Sequence, residues 1–420
     1  MLGKFNRRAI LKTAAAFAAG SLGLHRPVRA RAGTKSPGEI DAVLRAAVEA
    51  GEVPGVVALA ATDNGVIYEG VFGWRRLPDG PAMTRDTVFR IASMVKLITS
   101  VAALQLVEQG KLSLDTPVPA IEPELGEPQV FDGLDAAGAP RLRPANGPIS
   151  LRQLLTHTSG FTYRVWDAKA VAYYNAVAKL PKAKRAKAPH APLMFDPGTR
   201  WQYGPSIDWV GRLVQYASGD PVEVYFRKHI FDPLGMRDTA FVITDEQRKR
   251  EASCHRHEPD GSLRPLPIEH PSPHATFHGG GGIYSTAGDY LTLLRALMAG
   301  GALSGVRILR PETVALMGQN QIGALEAGVL HTTMPALSND VDFFPGISCK
   351  WGLGHMLTMQ TVPGGRSAGS MTWAGIYNTY YWLDPVRRIA AVFMTQVLPF
   401  ADHRALQLYR QFERGLYAAL

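Results

Sequence analysis

The chain has 420 residues, 46% of them hydrophobic and 19% charged, an ordinary globular composition. That length exceeds one small core and falls short of three independent domains, leaving one large domain or two intimate ones. The formal net charge of +9 invites a polyanion partner, but residues 1–32 hold seven basic side chains and no acidic one. Without them 38 basic residues face 36 acidic ones, so composition gives no ground for nucleic-acid binding.

Those first 32 residues read as a removable leader. A basic start precedes Ala9 to Leu24, a mild apolar stretch too short and too weak for a comfortable membrane span. Arg29-Ala30-Arg31-Ala32 then places small residues at the alternate positions a signal peptidase accepts. Asn6-Arg7-Arg8-Ala9-Ile10-Leu11-Lys12 resembles a twin-arginine export signal. The expected destination is the periplasm or the exterior, with the twin-arginine machinery and signal peptidase as partners. Cys254 and Cys349 are the only cysteines, and whether they pair is open.

In chain order, Glu39 to Val48 carries helical periodicity, and Gly55–Thr62 and Val66–Trp74 are β-rich runs around an Asp63-Asn64-Gly65 turn. A helix is predicted from about Ser93 to Gln109, stopped by Gly110. The middle, about 116–274, is rich in loops and proline with helices interspersed, including Ile207 to Tyr216. Lys179 to Lys187 there is basic and reads as a solvated loop. Order returns with Gly279–Gly282 and a helix over Asp289 to Met298. Strands at about Met371–Leu383 and Arg388–Gln396, joined at Asp384-Pro385, precede an amphipathic helix over His403–Ala419. Residues 33–115 and 275–420 thus form one α/β unit, interrupted by a mostly helical insertion.

Chemistry concentrates first at Arg90-Ile91-Ala92-Ser93-Met94-Val95-Lys96. A serine hydroxyl is a poor nucleophile until a neighbour takes its proton. Three residues apart at a helix start, Ser93 and Lys96 share a face, and the free N–H groups there favour developing negative charge. Ser-x-x-Lys is a weak pattern alone, and a capping serine followed by a surface lysine would produce it. Leu97-Ile98 and Val101-Ala102-Ala103-Leu104, however, make this helix apolar nearly all round. It is therefore expected to be buried, and a buried lysine loses charge stabilisation and can serve as a base. Tyr203, in Trp201-Gln202-Tyr203-Gly204-Pro205-Ser206, is a candidate phenol near those cations.

Five segments occur in order: Ser93-x-x-Lys96, Leu154-Leu155-Thr156-His157-Thr158-Ser159-Gly160, Tyr203, Phe226 to Met236, and the glycines at 279–282. Together they resemble the class C β-lactamase-related serine hydrolases, including that superfamily's esterases and transesterases, over about residues 37–415. The resemblance implies an α+β fold, a largely antiparallel sheet flanked by helices, with the active site where sheet and helical region meet. By residue match it implies Ser93 as the acylated nucleophile, Lys96 and Tyr203 as proton-transfer partners, and no cofactor or metal. The third family motif falls on Trp373-Ala374-Gly375, placing Trp373 and Gly375 beside substrate and the backbone N–H groups of Ser93 and Ile376 in the oxyanion hole. His157 is expected to hold a loop.

Two departures bear on substrate. Trp373 stands where the family usually has a cationic residue, and Tyr203-Gly204-Pro205 replaces Tyr-x-Asn. Losing a charge and an amide weakens the grip on anionic β-lactams and D-Ala-D-Ala peptides, whereas tryptophan suits a neutral apolar group. Small neutral esters are therefore the expected substrates, by hydrolysis or transesterification. β-Lactam cleavage, D-Ala-D-Ala carboxypeptidase or amidase activity, and a non-catalytic exported binder of the same fold are the alternatives.

Rival motifs weigh less. Gly365-Arg366-Ser367-Ala368-Gly369 fits a nucleophile elbow, with Asp384 and His403 following in order, but that elbow must lead into a helix and a strand follows here. Cys254-His255-Arg256-His257-Glu258 with His270, His274 and His278 is ligand-rich without a structural-zinc spacing. Gly279–Gly282 lacks the Lys-Ser/Thr of a phosphate loop and is expected to serve close backbone packing.

Overall fold

A computed structural model describes residues 37–258, 260–272 and 276–420. The leader expected over residues 1–32, and His274, lie outside the described residues.

Helix α1 (Pro37–Glu49) opens the chain, followed by the hairpin β1 (Gly55–Thr62) and β2 (Gly65–Gly73). Helix α2 (Val95–Glu108), α3 (Ser206–Ser218) and α4 (Ala287–Met298) come next. The strands β3 (Cys349–Trp351), β4 (Met356–Thr358), β5 (Met371–Gly375), β6 (Thr379–Asp384) and β7 (Ile389–Met394) precede α5 (His403–Ala419). They form a seven-stranded sheet in the order β3-β4-β5-β6-β7-β1-β2. Every neighbouring pair is antiparallel, and Leu59 opposite Val392 joins the two ends of the chain. This is the α+β fold expected.

Strand alternation explains the layers. On β6, Tyr380 and Trp382 point to α5, where Tyr380 stacks on Tyr409 at 4.5 Å and Trp382 meets Phe412 edge-on at 5.5 Å. Tyr381 points the other way and meets Tyr290 of α4 at 5.3 Å. With both faces covered, β1, β6 and β7 are buried almost throughout, which is why they read as continuous apolar runs. On the α5 side, Gly415 lets α1 approach, since a Cβ there would sit 2.9 Å from Ile40.

Two expectations need correction. The strand predicted over Met371–Leu383 is two strands, because the chain turns at Ile376-Tyr377-Asn378, with Asn378 at φ 61° and its N–H donating to the Gly375 carbonyl. Apolar, aromatic residues continue through the turn and hide it from periodicity. The helix predicted from Ser93 begins as a 3-10 turn over Ala92–Met94 before α2. Between α2 and α4, an antiparallel ribbon pairs Gln129–Leu134 with Pro140–Pro144, and another pairs His255–His257 with Leu263–Pro265.

Candidate active site

Helix α2 is buried from Val95 to Leu106, so each polar side chain on it must find its partner inside the protein. Thr99 donates to the Gly279 carbonyl (2.6 Å), Ser100 to the Lys96 carbonyl (2.8 Å) and Gln105 to the Ile308 carbonyl (3.0 Å). Gly110 ends the helix at φ 71°, and the next N–H, of Lys111, returns to the Leu106 carbonyl.

Lys96 is 1% exposed. Its Nζ lies 3.0 Å from Ser93 Oγ, 2.7 Å from the Gly280 carbonyl and 3.4 Å from Tyr163 Oη. Among the described residues it makes no ion pair; its surroundings are neutral oxygens and the faces of Tyr203 (5.1 Å) and Tyr163 (5.5 Å). An ammonium uses all three N–H groups on these acceptors. A neutral amine has two N–H groups and one lone pair, and bonding Gly280 and Tyr163 turns the lone pair to Ser93. The arrangement can thus take the serine's proton.

Ser93 stays half-buried and reachable while its turn is clamped from several sides. Ala92 before it sits at φ 43°, a left-handed backbone that costs a residue with a side chain about 1–3 kcal/mol. Tyr290 of α4 donates to the Met94 carbonyl (2.9 Å), and the Ile91 N–H donates to the Ile283 carbonyl (3.1 Å). On the far side, Gly375 packs so closely that a Cβ would lie 2.3 Å from the Ile91 carbonyl oxygen. That closeness brings the end of β5, and so Ile376, beside the serine. Among the described residues neither the Ser93 nor the Ile376 N–H donates to another group.

Two cavities open on this turn. The smaller, about 260 Å³, is lined by Ser93, Tyr163, Val165, Trp166, Tyr203, Trp373 and Phe400, among others. The larger, about 460 Å³, includes Arg90, Ala92, Tyr163, Asp208, His278 and Tyr377. Tyr163 and Ile376 line both. Trp373 is 4.7 Å from Tyr203 and 4.6 Å from Trp351 between ring centroids, which makes the smaller chamber aromatic.

The loop from Thr156 to Gly160 is knitted to the segment that carries Tyr203. Gln202 N–H donates to the His157 carbonyl (3.0 Å), Gly198 N–H to the Thr158 carbonyl (2.7 Å), and the Ser159 and Ser206 hydroxyls pair at 2.9 Å. The His157 ring packs between Tyr203 (4.8 Å) and Trp351 (5.1 Å), with no hydrogen-bond partner on either nitrogen among the described residues. Burial, and then the Lys96 charge, hold it well below the ordinary histidine range, so it stays neutral.

The phenol expectation is corrected in its geometry. Tyr203 faces the chamber beside Ser93, yet among the described residues its hydroxyl has no hydrogen-bond partner; the phenol that reaches Lys96 belongs to Tyr163. Tyr163 is half-buried, and desolvation, with smaller contributions from Asp208 and Tyr203, pushes it well above the ordinary tyrosine range. The only trace in the sequence is a tyrosine three residues beyond Gly160. Asp208 was also missed: its Oδ1 accepts the Gly280 N–H (2.7 Å), fixing the carbonyl that Lys96 uses. The close packing expected of the glycine run holds for its first half: a Cβ on Gly279 would lie 2.5 Å from the Ile207 carbonyl oxygen and one on Gly280 2.6 Å from Asp208 Oδ1, whereas one on Gly281 would meet nothing within 4 Å.

The rivals come apart. Ser367 lies in the loop between β4 and β5, with its N–H on Asp384 Oδ2 (2.9 Å), while His403 is exposed at the start of α5. His255 Nε2 accepts the Leu77 N–H (3.1 Å), and Arg404 contacts His257 Nδ1 (2.9 Å). Cys254 and Cys349 are both buried free thiols, and burial raises each to about 12.

Comparison with known proteins gives a consistent result. The family profile described as Beta-lactamase matches residues 40–415. The chain is 32% identical to ML-236A carboxylate methylbutanoyltransferase mlcH of Penicillium citrinum, covering 90% of this chain and 94% of that one. It is also 32% identical to the lovastatin esterase of Penicillium rubens, over 90% and 98% of the two chains. Among solved structures, the LovD9 mutant of simvastatin synthase from Aspergillus terreus superposes with a TM-score of 0.79 at 31% identity, covering 91% of this chain and 99% of that one.

Proposed function

The chain belongs to the beta-lactamase family, and from that premise we propose that it is a serine esterase or acyltransferase working through an acyl-enzyme at Ser93. The observation that carries the reading is the 3.0 Å contact between Ser93 Oγ and a buried amine that has no counter-ion among the described residues. Lys96 takes the serine's proton as Oγ attacks the ester carbonyl. The free N–H groups of Ser93 and Ile376 receive the charge on the carbonyl oxygen. Tyr203, whose hydroxyl has no protein partner, bonds the reacting oxygens inside the chamber.

A chamber of about 260 Å³ walled by Trp373, Trp166 and Phe400 suits a short, neutral, apolar acyl group. The larger cavity suits a bulkier alcohol portion. The relatives named for methylbutanoyl transfer and for lovastatin esterase activity support an acyl-ester substrate. Whether water or a second alcohol ends the cycle decides between hydrolase and transferase. Residues 1–32 direct export through the twin-arginine route; a reporter fused to them must lose export when Arg7 and Arg8 become lysine.

The test is intact-mass analysis after mixing with short-chain p-nitrophenyl esters. The wild-type chain is expected to gain the acyl mass and turn over, and Ser93→Ala to do neither. Efficient cleavage of a chromogenic cephalosporin without any ester turnover would overturn the ester reading.

A further inference from the structure

Trp166 is buried in the wall of the Ser93 chamber, where its ring meets Tyr203 at 5.4 Å, Tyr163 at 6.0 Å and Phe400 at 6.1 Å between centroids. Of the residues lining that chamber, it alone also lines a further cavity of about 680 Å³, beside Lys169, Gln202 and Thr333. What fixes the indole lies outside the chamber. Its Nε1 donates to Ser338 Oγ (3.0 Å), and the Ser338 hydroxyl donates to the Asn339 carbonyl (2.7 Å). The same loop pins the backbone before it, with the Thr333 N–H on the Val165 carbonyl (2.8 Å) and the Thr333 hydroxyl on the Arg164 carbonyl. Gln202 Nε2 holds the Trp166 carbonyl (3.0 Å). Ser338 is fully buried, stands 172 residues from Trp166 and does not line the chamber.

We propose that Trp166 sets the upper limit of acyl chain length, and that Ser338 is the positioning residue that holds the indole at that limit. This rests on the acyl-enzyme reading above, with the acyl group in the smaller chamber. Each methylene added to the acyl chain gains from apolar contact while the chamber of about 260 Å³ has room. A chain that outgrows it advances only by displacing a buried ring. That movement breaks the bond to Ser338 and strands an indole N–H inside the protein. The chamber is therefore closed to long acyl chains by one hydrogen-bonded ring, and the turn that carries Ser93 plays no part in the exclusion. Removing the indole opens the chamber toward the space on its other side.

The experiment measures kcat/KM for p-nitrophenyl esters of straight-chain acids from acetate to octanoate. In the wild-type chain the values are expected to fall once the acyl chain outgrows the chamber, and a profile flat to octanoate overturns the limit. Trp166→Ala is expected to raise the octanoate-to-butanoate ratio about 10-fold or more, the scale of discrimination in an apolar pocket. Ser338→Ala is expected to move the same ratio the same way by about 5-fold, the scale of one hydrogen bond. An unchanged ratio in Trp166→Ala overturns the limit, and an unchanged ratio in Ser338→Ala overturns the positioning role. Lengthening the alcohol of a butanoate ester should leave both variants' preferences as in wild type. A response there in place of the acyl response would put Trp166 against the leaving group and defeat the proposal. Should Trp166→Ala fail to fold, Trp166→Phe, which keeps a smaller ring and loses the N–H, is read by the same ratio. Failure of the underlying reading is distinct, because Ser93→Ala would then retain turnover across the whole series.

Discussion

Among the described residues two Lys or Arg side chains are buried, Arg366 and Lys96, and they are held in opposite ways. Arg366 is enclosed completely, with Nε 2.8 Å and Nη2 2.7 Å from the two Glu413 oxygens and Nη2 2.6 Å from the Tyr409 hydroxyl. Burial works against its charge, but Glu413 and Tyr409 outweigh burial and hold the guanidinium above its ordinary value. Lys96 is as deeply buried and meets only neutral oxygens and ring faces. A carboxylate partner fixes a proton in place, whereas neutral acceptors satisfy the amine without doing so. Arg366 ties the loop before β5 to α5, and Lys96 is left able to exchange its proton with Ser93.

Four experiments press on that contrast. The largest effect is expected from Lys96→Met, with kcat/KM for p-nitrophenyl esters down about 1,000-fold or more and near-wild-type circular dichroism. Retained activity would mean that the amine is structural after all. Glu413→Gln should do the reverse. Stranding Arg366 without its counter-charge costs about 3–5 kcal/mol, seen as a lower denaturation midpoint, while activity per folded molecule stays the same.

Acid should act next, through histidines the fold keeps neutral. Burial, only partly offset by a bond to the Met317 carbonyl, depresses His355 to about 4. The unfolded chain takes up that proton from about pH 6.5 downward and the folded one does not. Stability is therefore full above pH 6.5 and falls toward pH 4, by roughly 3 kcal/mol from His355 alone. His157, depressed in the same direction beside Lys96, adds to the loss. Urea midpoints measured between pH 7 and 4 would check this, and a flat profile would contradict it. The smallest effect on activity belongs to Ser367→Ala, expected to change it less than 2-fold, with a stability loss of about 1 kcal/mol because the Ser367 hydroxyl as well as its backbone N–H bonds Asp384. A large loss there would revive the elbow.

What could be read from the chain follows from how local the signals were. Helix α2 advertised its burial by lacking a wet face, which singled out Lys96, and the Asp63-Asn64-Gly65 turn marked the β1–β2 hairpin directly. Trp373 and Gly375 fell on a strand as their motif required. Tyr163 was not legible because its partner lies 67 residues away and no periodicity marks a loop tyrosine. The Asp208–Gly280 bond spans 72 residues, and the Arg366–Glu413 pair joins two segments that each look unremarkable alone. Motif order singled out Ser93 and Lys96, which the fold places 3.0 Å apart, but only folding reveals which phenol touches the amine.

Strand β5 carries Trp373 and Gly375 on one face, two residues apart, and they differ in what they tolerate. At 375 even a methyl group would collide with the Ile91 carbonyl just ahead of Ser93, so that position is closed to variation. At 373 the indole walls the cavity and also packs on Tyr203 and Trp351, so a smaller or differently shaped side chain would change the cavity's volume and loosen those ring contacts together. Of the two positions, 373 is therefore the one at which the shape of the chamber can vary.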